Sequence, residues 1–186
     1  MEVELKVPVE NLDEFANKAE KLGYELVQPR HLESNVLYDY PDRSLSLTGC
    51  LLRVRDMGDK ALFTFKGKAI AHERYKVRPE EEVVCDDGEK LREILENVGF
   101  RAYYRYEKYR KEYRAPDAFL CLDEVPFGFF LELEGTPEGI ENLAKALDLD
   151  PSTFIRRSYA DLYAEHCRKG DKPFGDMIFE RDDENR

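Results

Sequence analysis

Charged side chains recur at every second position in this chain, and like signs recur together. Glu2, Glu4 and Lys6 alternate with Val3, Leu5 and Val7, Arg53 and Arg55 with Leu52 and Val54, and Thr64 and Lys66 with Phe63 and Phe65. Arg78, Glu80 and Glu82 share one parity opposite Val77 and Val83, and Lys108 and Arg110 form another cationic pair. Asp123 opposes Leu122, and Glu132 and Glu134 oppose Leu131 and Leu133. A period of two is the signature of a strand with one apolar and one charged face. For any single strand, a charged face turned to water is the better explanation. Repetition shifts that balance. Carboxylates two residues apart lie ~7 Å from each other and repel by ~2 kcal/mol at an effective dielectric of about 20. A merely solvated sheet gains nothing from Glu-x-Glu three times over. Gathered inside an enclosure, the two sets call for opposite partners. Hard divalent cations of the Mg2+ or Mn2+ type would neutralise the carboxylates, and polyphosphate oxygens the Arg and Lys groups. Together those partners describe a metal–triphosphate complex.

The elements that must position these residues alternate between two periods. Strand periodicity covers 2–7, 32–40, 50–56, 61–67, 73–84, 101–113, 117–124 and 128–134. Four helices are expected between and after them. Asn11 caps the first, with Glu14 completing a capping box, an apolar stripe of Leu12, Phe15, Ala16, Ala19 and Leu22, and a stop at Gly23. The second starts near Asp87, buries Leu91, Ile94, Leu95 and Val98, and stops at Gly99. Thr136-Pro137 opens the third, carrying Ile140, Leu143, Ala144 and Leu147, and Ser158 the last, with Leu162 and Tyr163 inward and Gly170 at its end. The helix stripes need an apolar partner, and the strands' apolar faces supply it. Helices outside therefore put the charged faces inside. The fold class that follows is α+β, an eight-stranded antiparallel β-barrel with helices packed on its outside. Glu2-x-Glu4-x-Lys6 and Arg78-x-Glu80-x-Glu82 each lead into a helix ending in Gly and an aromatic residue, a faint internal repeat. A single domain over 1–167 is expected, followed by a charged tail at 168–186. The tail's apolar cluster Met177-Ile178-Phe179 leaves open whether it docks on the barrel or frays.

The ordered set resembles the CYTH superfamily of triphosphate tunnel metalloenzymes, which includes class IV adenylate cyclases, thiamine triphosphatases and inorganic triphosphatases. The resemblance runs from Glu2 to about Tyr163. It takes in Leu51-Leu52-Arg53-Val54-Arg55, Phe65-Lys66-Gly67, Arg78-Pro79-Glu80-Glu81-Glu82, Lys108-Tyr109-Arg110, Asp123, Phe130 to Glu134 and Arg157-Ser158-Tyr159. It implies metal ligation by Glu2, Glu4, Glu132 and Glu134, with Asp123 as a further ligand. It implies a triphosphate grip by Lys6, Arg53, Arg55, Lys66, Arg78, Lys108 and Arg110, with Glu2, Glu4 and Lys6 at the catalytic centre. Glu80 and Glu82 could hold a second metal or orient cations. Arg157 could close one tunnel mouth, or pair with a carboxylate at the start of the last helix. Tyr38 and Asp39 resemble a family strand in which a structural role fits at least as well. The resemblance implies Mg2+ or Mn2+ as cofactor and a small-molecule triphosphate (ATP, thiamine triphosphate or tripolyphosphate) as partner, with a homodimer left open. Hydrolysis stands marginally ahead of cyclisation of ATP to cyclic AMP and pyrophosphate. Class IV cyclases can carry a His-Phe pair shortly before the first strand, and this chain begins Met1-Glu2 without room for one. The Glu-Leu-Lys form leans toward the cyclase and thiamine-triphosphatase branches. A tunnel that binds polyphosphate without turnover is the third reading, disfavoured because anion binding alone needs no carboxylates. Glu4→Gln is expected to abolish metal-dependent turnover and to leave the fold intact or, without metal, stabilised.

Other chemistries find little support. The 186 residues carry 42% apolar and 37% charged residues and a net charge of −11, which opposes attraction to nucleic acid or to an anionic membrane. The acidic opening and the lack of a long apolar run suit neither a signal peptide nor a membrane span. Cys50, Cys85, Cys121 and Cys167 have no CxxC spacing, so reduced thiols in a cytoplasmic protein are expected. His31, His72 and His166 lie in different elements without metal-ligand spacing, and no nucleophile elbow, phosphate loop or dinucleotide fingerprint appears.

Overall fold

A computed structural model describes residues 1–180 and shows nine strands wound into a nearly closed antiparallel barrel. In chain order the elements are β1 (Glu2–Val9), α1 (Leu12–Lys21), β2 (Glu25–Asp39), α2 (Ser44–Leu47), β3 (Leu51–Met57), β4 (Lys60–Lys66) and β5 (Lys76–Arg78). They continue with β6 (Glu80–Cys85), α3 (Gly88–Asn97), β7 (Arg101–Ala115), β8 (Ala118–Val125), β9 (Gly128–Gly135), α4 (Pro137–Ala146) and α5 (Tyr159–Lys169). The sheet order is β5-β1-β9-β8-β7-β2-β3-β4-β6. Its two outermost strands are consecutive in sequence, so the chain passes from one edge of the sheet to the other across a single residue, Pro79.

That passage accounts for nine strands where the periodicity predicts eight. Proline has no N–H to give a ladder, so the stretch 73–84 cannot run as one strand. Its first part pairs with β1 through Glu2↔Arg78, and its second with β4 through Lys66↔Glu80. The Pro79 carbonyl accepts from Gly67 N–H at 2.9 Å and ties the two edges. β2 also starts earlier than the periodicity predicts. Irregular register against β7 between Leu26 and His31 hides the alternation there. The short α2 is unanticipated; Asp39 anchors it by accepting from the N–H groups of Tyr40, Leu45 and Ser46.

The hydrophobic core lies outside the barrel. Leu5 and Val7 of β1, Leu120 and Leu122 of β8, and Leu131 and Leu133 of β9 pack against Phe15, Ala16 and Ala19 of α1 and Ile140, Leu143 and Ala144 of α4. Asn11, Asp87, Thr136 and Ser158 cap their helices as the sequence predicts. Glu14 does not complete a capping box and instead pairs with Lys18 at 2.8 Å. α3 covers β3 and β4 through Leu91 and Leu95 but leaves Ile94 and Val98 more than half exposed on its far flank. At one end of the barrel the inward positions turn apolar. Leu37, Tyr104, Val125 and Phe130 meet Tyr159 at the start of α5 and the fully buried Met177. Met177 docks by exchanging backbone hydrogen bonds of 2.9 and 2.8 Å with Arg105 and Glu107 of β7. Residues 181–186 of the expected tail lie outside the described residues. The four thiols are free, and no helix among the described residues is long and apolar enough to cross a membrane.

Candidate functional site

Inside the barrel is a cavity of roughly 360 Å3, lined by the charged parity of the strands. Of the fifteen residues singled out from sequence, Glu2, Glu4, Lys6, Arg53, Arg55, Lys66, Arg78, Glu80, Glu82, Lys108, Arg110, Glu132 and Glu134 line it. Two do not. Asp123 is fully buried beneath Lys108, Arg110 and Tyr159, and Arg157 lies on the outside, bonded to Glu165 and to the carbonyl of Asp161.

The carboxylates divide into two groups by what compensates them. Glu2, Glu80 and Glu134 each bring one oxygen within 4.8 Å of the others. Neighbouring strands set this up: Glu2 and Glu4 are consecutive inward residues of β1, and Glu134 of β9 stands opposite Glu4. Lys66 is the trio's nearest cation, 2.5 Å from Glu2 Oε1 and 2.8 Å from Glu80 Oε1, and Arg53 stands 3.6 Å from Glu80 Oε1. Glu2 Oε2 is buried with no hydrogen-bond partner, and among the described residues no ion pair reaches Glu134. The protonation equilibria register the shortfall. Burial, with Glu132 and Glu2 nearby, pushes Glu134 up to about 7, and burial together with Glu4 raises Glu2. An under-compensated, all-oxygen donor set with an orphaned buried oxygen fits a hard divalent cation.

The remaining carboxylates are already neutralised. Glu4 accepts from Lys6 and Lys76, each at 2.8 Å. Burial opposes its ionisation, yet Lys6 and Lys76 outweigh that and bring it to about 2. Glu132 holds Lys6 at 2.9 Å and Arg110 at 2.7 Å, and despite burial these cations keep it well below the usual carboxylate range. Asp123 takes a two-pronged bond from Arg110 at 2.7 Å, Lys108 at 3.1 Å and the Tyr159 hydroxyl at 2.7 Å. It fixes the direction of the two cations that reach the cavity from β7.

Opposite stand the guanidinium groups. Arg53 donates to Thr64 Oγ1 at 3.1 Å, to Glu82 at 3.0 Å and to the Tyr106 hydroxyl at 3.3 Å. Arg55 donates to Asn35 Oδ1 at 2.9 Å and pairs with Glu33 at 2.8 Å. Arg78 is turned to the backbone: it donates to the carbonyls of Gly67, Gly49 and Lys66 at 2.9 to 3.1 Å. Such an array presents fixed forks to the oxygens of an anion.

The sequence reading missed Lys76, Glu33, Asn35, Tyr106 and Tyr159. Lys76 shares the parity of Arg78 and was open to the same argument. Glu33 and Asn35 carry no like-charged neighbour two positions away, and the irregular start of β2 obscures their parity. Tyr159 enters from a helix terminus, which strand periodicity does not reach.

The comparisons with known proteins agree with this geometry. The model of the CYTH domain matches residues 1–159. A curated protein of Methanocaldococcus jannaschii named "Putative adenylate cyclase MJ0240" is 31% identical over 173 residues, covering 87% of this chain and 98% of its own length. Among solved structures, the PH1819 protein of Pyrococcus horikoshii OT3 is 31% identical with a TM-score of 0.73, covering 89% of this chain and 99% of that one. A structure from Vibrio parahaemolyticus, described as "a putative adenylate cyclase", is 26% identical with a TM-score of 0.76 and covers 88% and 97%.

Proposed function

The chain belongs to the CYTH family, and on that premise we propose that it is a divalent-metal-dependent enzyme that binds a triphosphate inside its barrel and hydrolyses it. One observation carries this reading. A trio of converging carboxylates, Glu2, Glu80 and Glu134, lines the same cavity as Arg53, Arg55, Lys108 and Arg110, and Glu134 has no ion pair among the described residues. Either set alone would be costly to bury, and a metal–triphosphate complex relieves both at once.

In this reading Glu2, Glu80 and Glu134 would hold the cation, which would supply charge neutralisation at phosphate oxygens. Glu4, Glu132 and Asp123 act one layer back. They hold Lys6, Lys76, Lys108 and Arg110 in fixed directions, so that these cations meet the anion without reorganising. Arg53 and Arg55, braced by Glu82, Tyr106, Asn35 and Glu33, clamp the chain of phosphates and align it. Water attacks the terminal phosphorus, the bond from that phosphorus to its bridging oxygen breaks with the diphosphate as leaving group, and orthophosphate forms as the water's proton is released. The barrel wall and the apolar end formed by Leu37, Tyr104 and Tyr159 limit access of bulk water.

A second reading is favoured by the names of the relatives from Methanocaldococcus and Vibrio. Attack by the ribose 3′-hydroxyl of ATP on the α-phosphorus would give cyclic AMP and pyrophosphate in much the same lumen. Incubation with ATP, tripolyphosphate and thiamine triphosphate, with Mg2+ or Mn2+, followed by phosphorus NMR, separates the two. Orthophosphate supports hydrolysis, and cyclic AMP with pyrophosphate replaces it with cyclisation. Saturable binding without any turnover would overturn both.

A further inference from the structure

Lys66 occupies a position that no other lysine of the cavity shares. Lys6 and Lys76 both neutralise Glu4, which is not one of the converging trio, whereas Lys66 lies on two of the trio's three members. Its ammonium bridges Glu2 Oε1 and Glu80 Oε1, while Glu2 Oε2 is left without a partner. Lys66 is the last residue of β4 and pairs in register with Glu80, so its backbone is fixed. Its carbonyl is further held by Arg78 Nη2 at 3.1 Å. The side chain beyond that anchor is a flexible stem ending in a compact charge with rotatable donors. An ammonium and a divalent cation on the same two carboxylates repel each other at contact distance.

We infer that Lys66 is the internal counter-ion of the cation site: it bridges Glu2 and Glu80 until a divalent cation takes those carboxylates, and its ammonium is then released toward the triphosphate. The inference rests on the proposed reading of the cavity and adds a coupling to it. Cation binding costs the Lys66 bridge, and the released ammonium gains a phosphate oxygen. Each ligand therefore strengthens the other beyond their direct contact, and by equal factors. In the resting protein the same bridge limits the repulsion within the trio.

The test is cation binding without any triphosphate. Mn2+ is titrated calorimetrically into the wild type, Lys66→Gln and Lys76→Gln. Lys76 serves as the control, because it lines the same cavity and its loss removes the same charge. Lys66→Gln should bind Mn2+ about tenfold more tightly than the wild type, the equivalent of one charge-assisted hydrogen bond no longer displaced. Lys76→Gln should gain clearly less. Equal gains in the two variants, or no gain in Lys66→Gln, would overturn the inference while leaving the metal site standing. A wild type that binds no Mn2+ would overturn the proposed metal chemistry itself. Should Lys66→Gln fail to fold, the wild type answers by NMR of its lysine side-chain amines. Saturation with diamagnetic Mg2+ should move the Lys66 signals and leave those of Lys76 in place; unmoved Lys66 signals would reject the release.

Discussion

Glu4 and Glu134 stand opposite each other on β1 and β9, yet their surroundings drive them in opposite directions. Glu134 forms no ion pair among the described residues, and its carboxyl is pushed from an ordinary 4.5 to about 7 by burial and by Glu132 and Glu2. A carboxyl raised in the folded state destabilises the fold once it is charged. The penalty is absent below about pH 4.5, grows as pH rises through 7, and is then on the order of 3 kcal/mol. Glu134→Gln should therefore raise the melting temperature of the metal-free protein at pH 8, an advantage that fades toward pH 5. The same substitution should abolish the thermal shift that Mg2+ or Mn2+ gives the wild type, as read in a pH series of melts. Glu4 has the reverse sign. Held at about 2 by Lys6 and Lys76 against its burial, it contributes stability that is full above 4.5 and lost as pH falls toward 2. Glu4→Gln should cost about 2 kcal/mol at neutral pH, measured by urea unfolding. That outcome departs from the expectation drawn from the sequence, where Glu2, Glu4, Glu132 and Glu134 looked alike. Alternation identifies which residues face the lumen. It carries no information on which carboxylate meets a lysine across strands, and Lys6, Lys66 and Lys76 decide that.

The elements were legible where periodicity is unbroken and chain-local chemistry marks the ends. Ser158, Thr136 before Pro137, and Asp87 each predict a helix start that the structure contains. The reading fell short where one residue overrides a period, as Pro79 does in dividing β5 from β6, or where irregular pairing shifts parity, as near Pro29 in β2. The site inherits both effects, because Glu80 follows the first break and Glu33 follows the second. A close contact also constrains α4. Gly139 sits in its first turn over the 115–118 turn, and a Cβ there would run into the backbone carbonyl of Asp117. Alanine is ordinarily the better helix residue by up to about 1 kcal/mol. Here the clash wins: Gly139→Ala should lower stability by about 2 kcal/mol, the cost of overpacking against rigid backbone. An unchanged or higher melting temperature would show that α4 can lift from the turn freely.

At the scale of the whole molecule the chain is built inside out, with its apolar core between barrel and helices and its buried charges in the lumen. That inversion was readable because four apolar helix stripes and eight amphipathic strands leave the charged faces only one place to go. What could not be read was the balance of charge within the lumen, which depends on the stagger of strands distant in sequence, such as Lys66 reaching Glu2. The inversion also has a thermodynamic consequence. A ligand that neutralises both charged sets binds only the folded state, so tripolyphosphate with Mg2+ should raise the melting temperature more than either alone. Lumenal binding is measured most directly by calorimetric titration of tripolyphosphate in the presence of Mg2+, comparing wild type with Arg55→Ala and Glu134→Gln. The account expects one site per chain, weakened at least tenfold by Arg55→Ala and no longer strengthened by Mg2+ in Glu134→Gln. Absence of saturable binding, or binding indifferent to both substitutions, would contradict it.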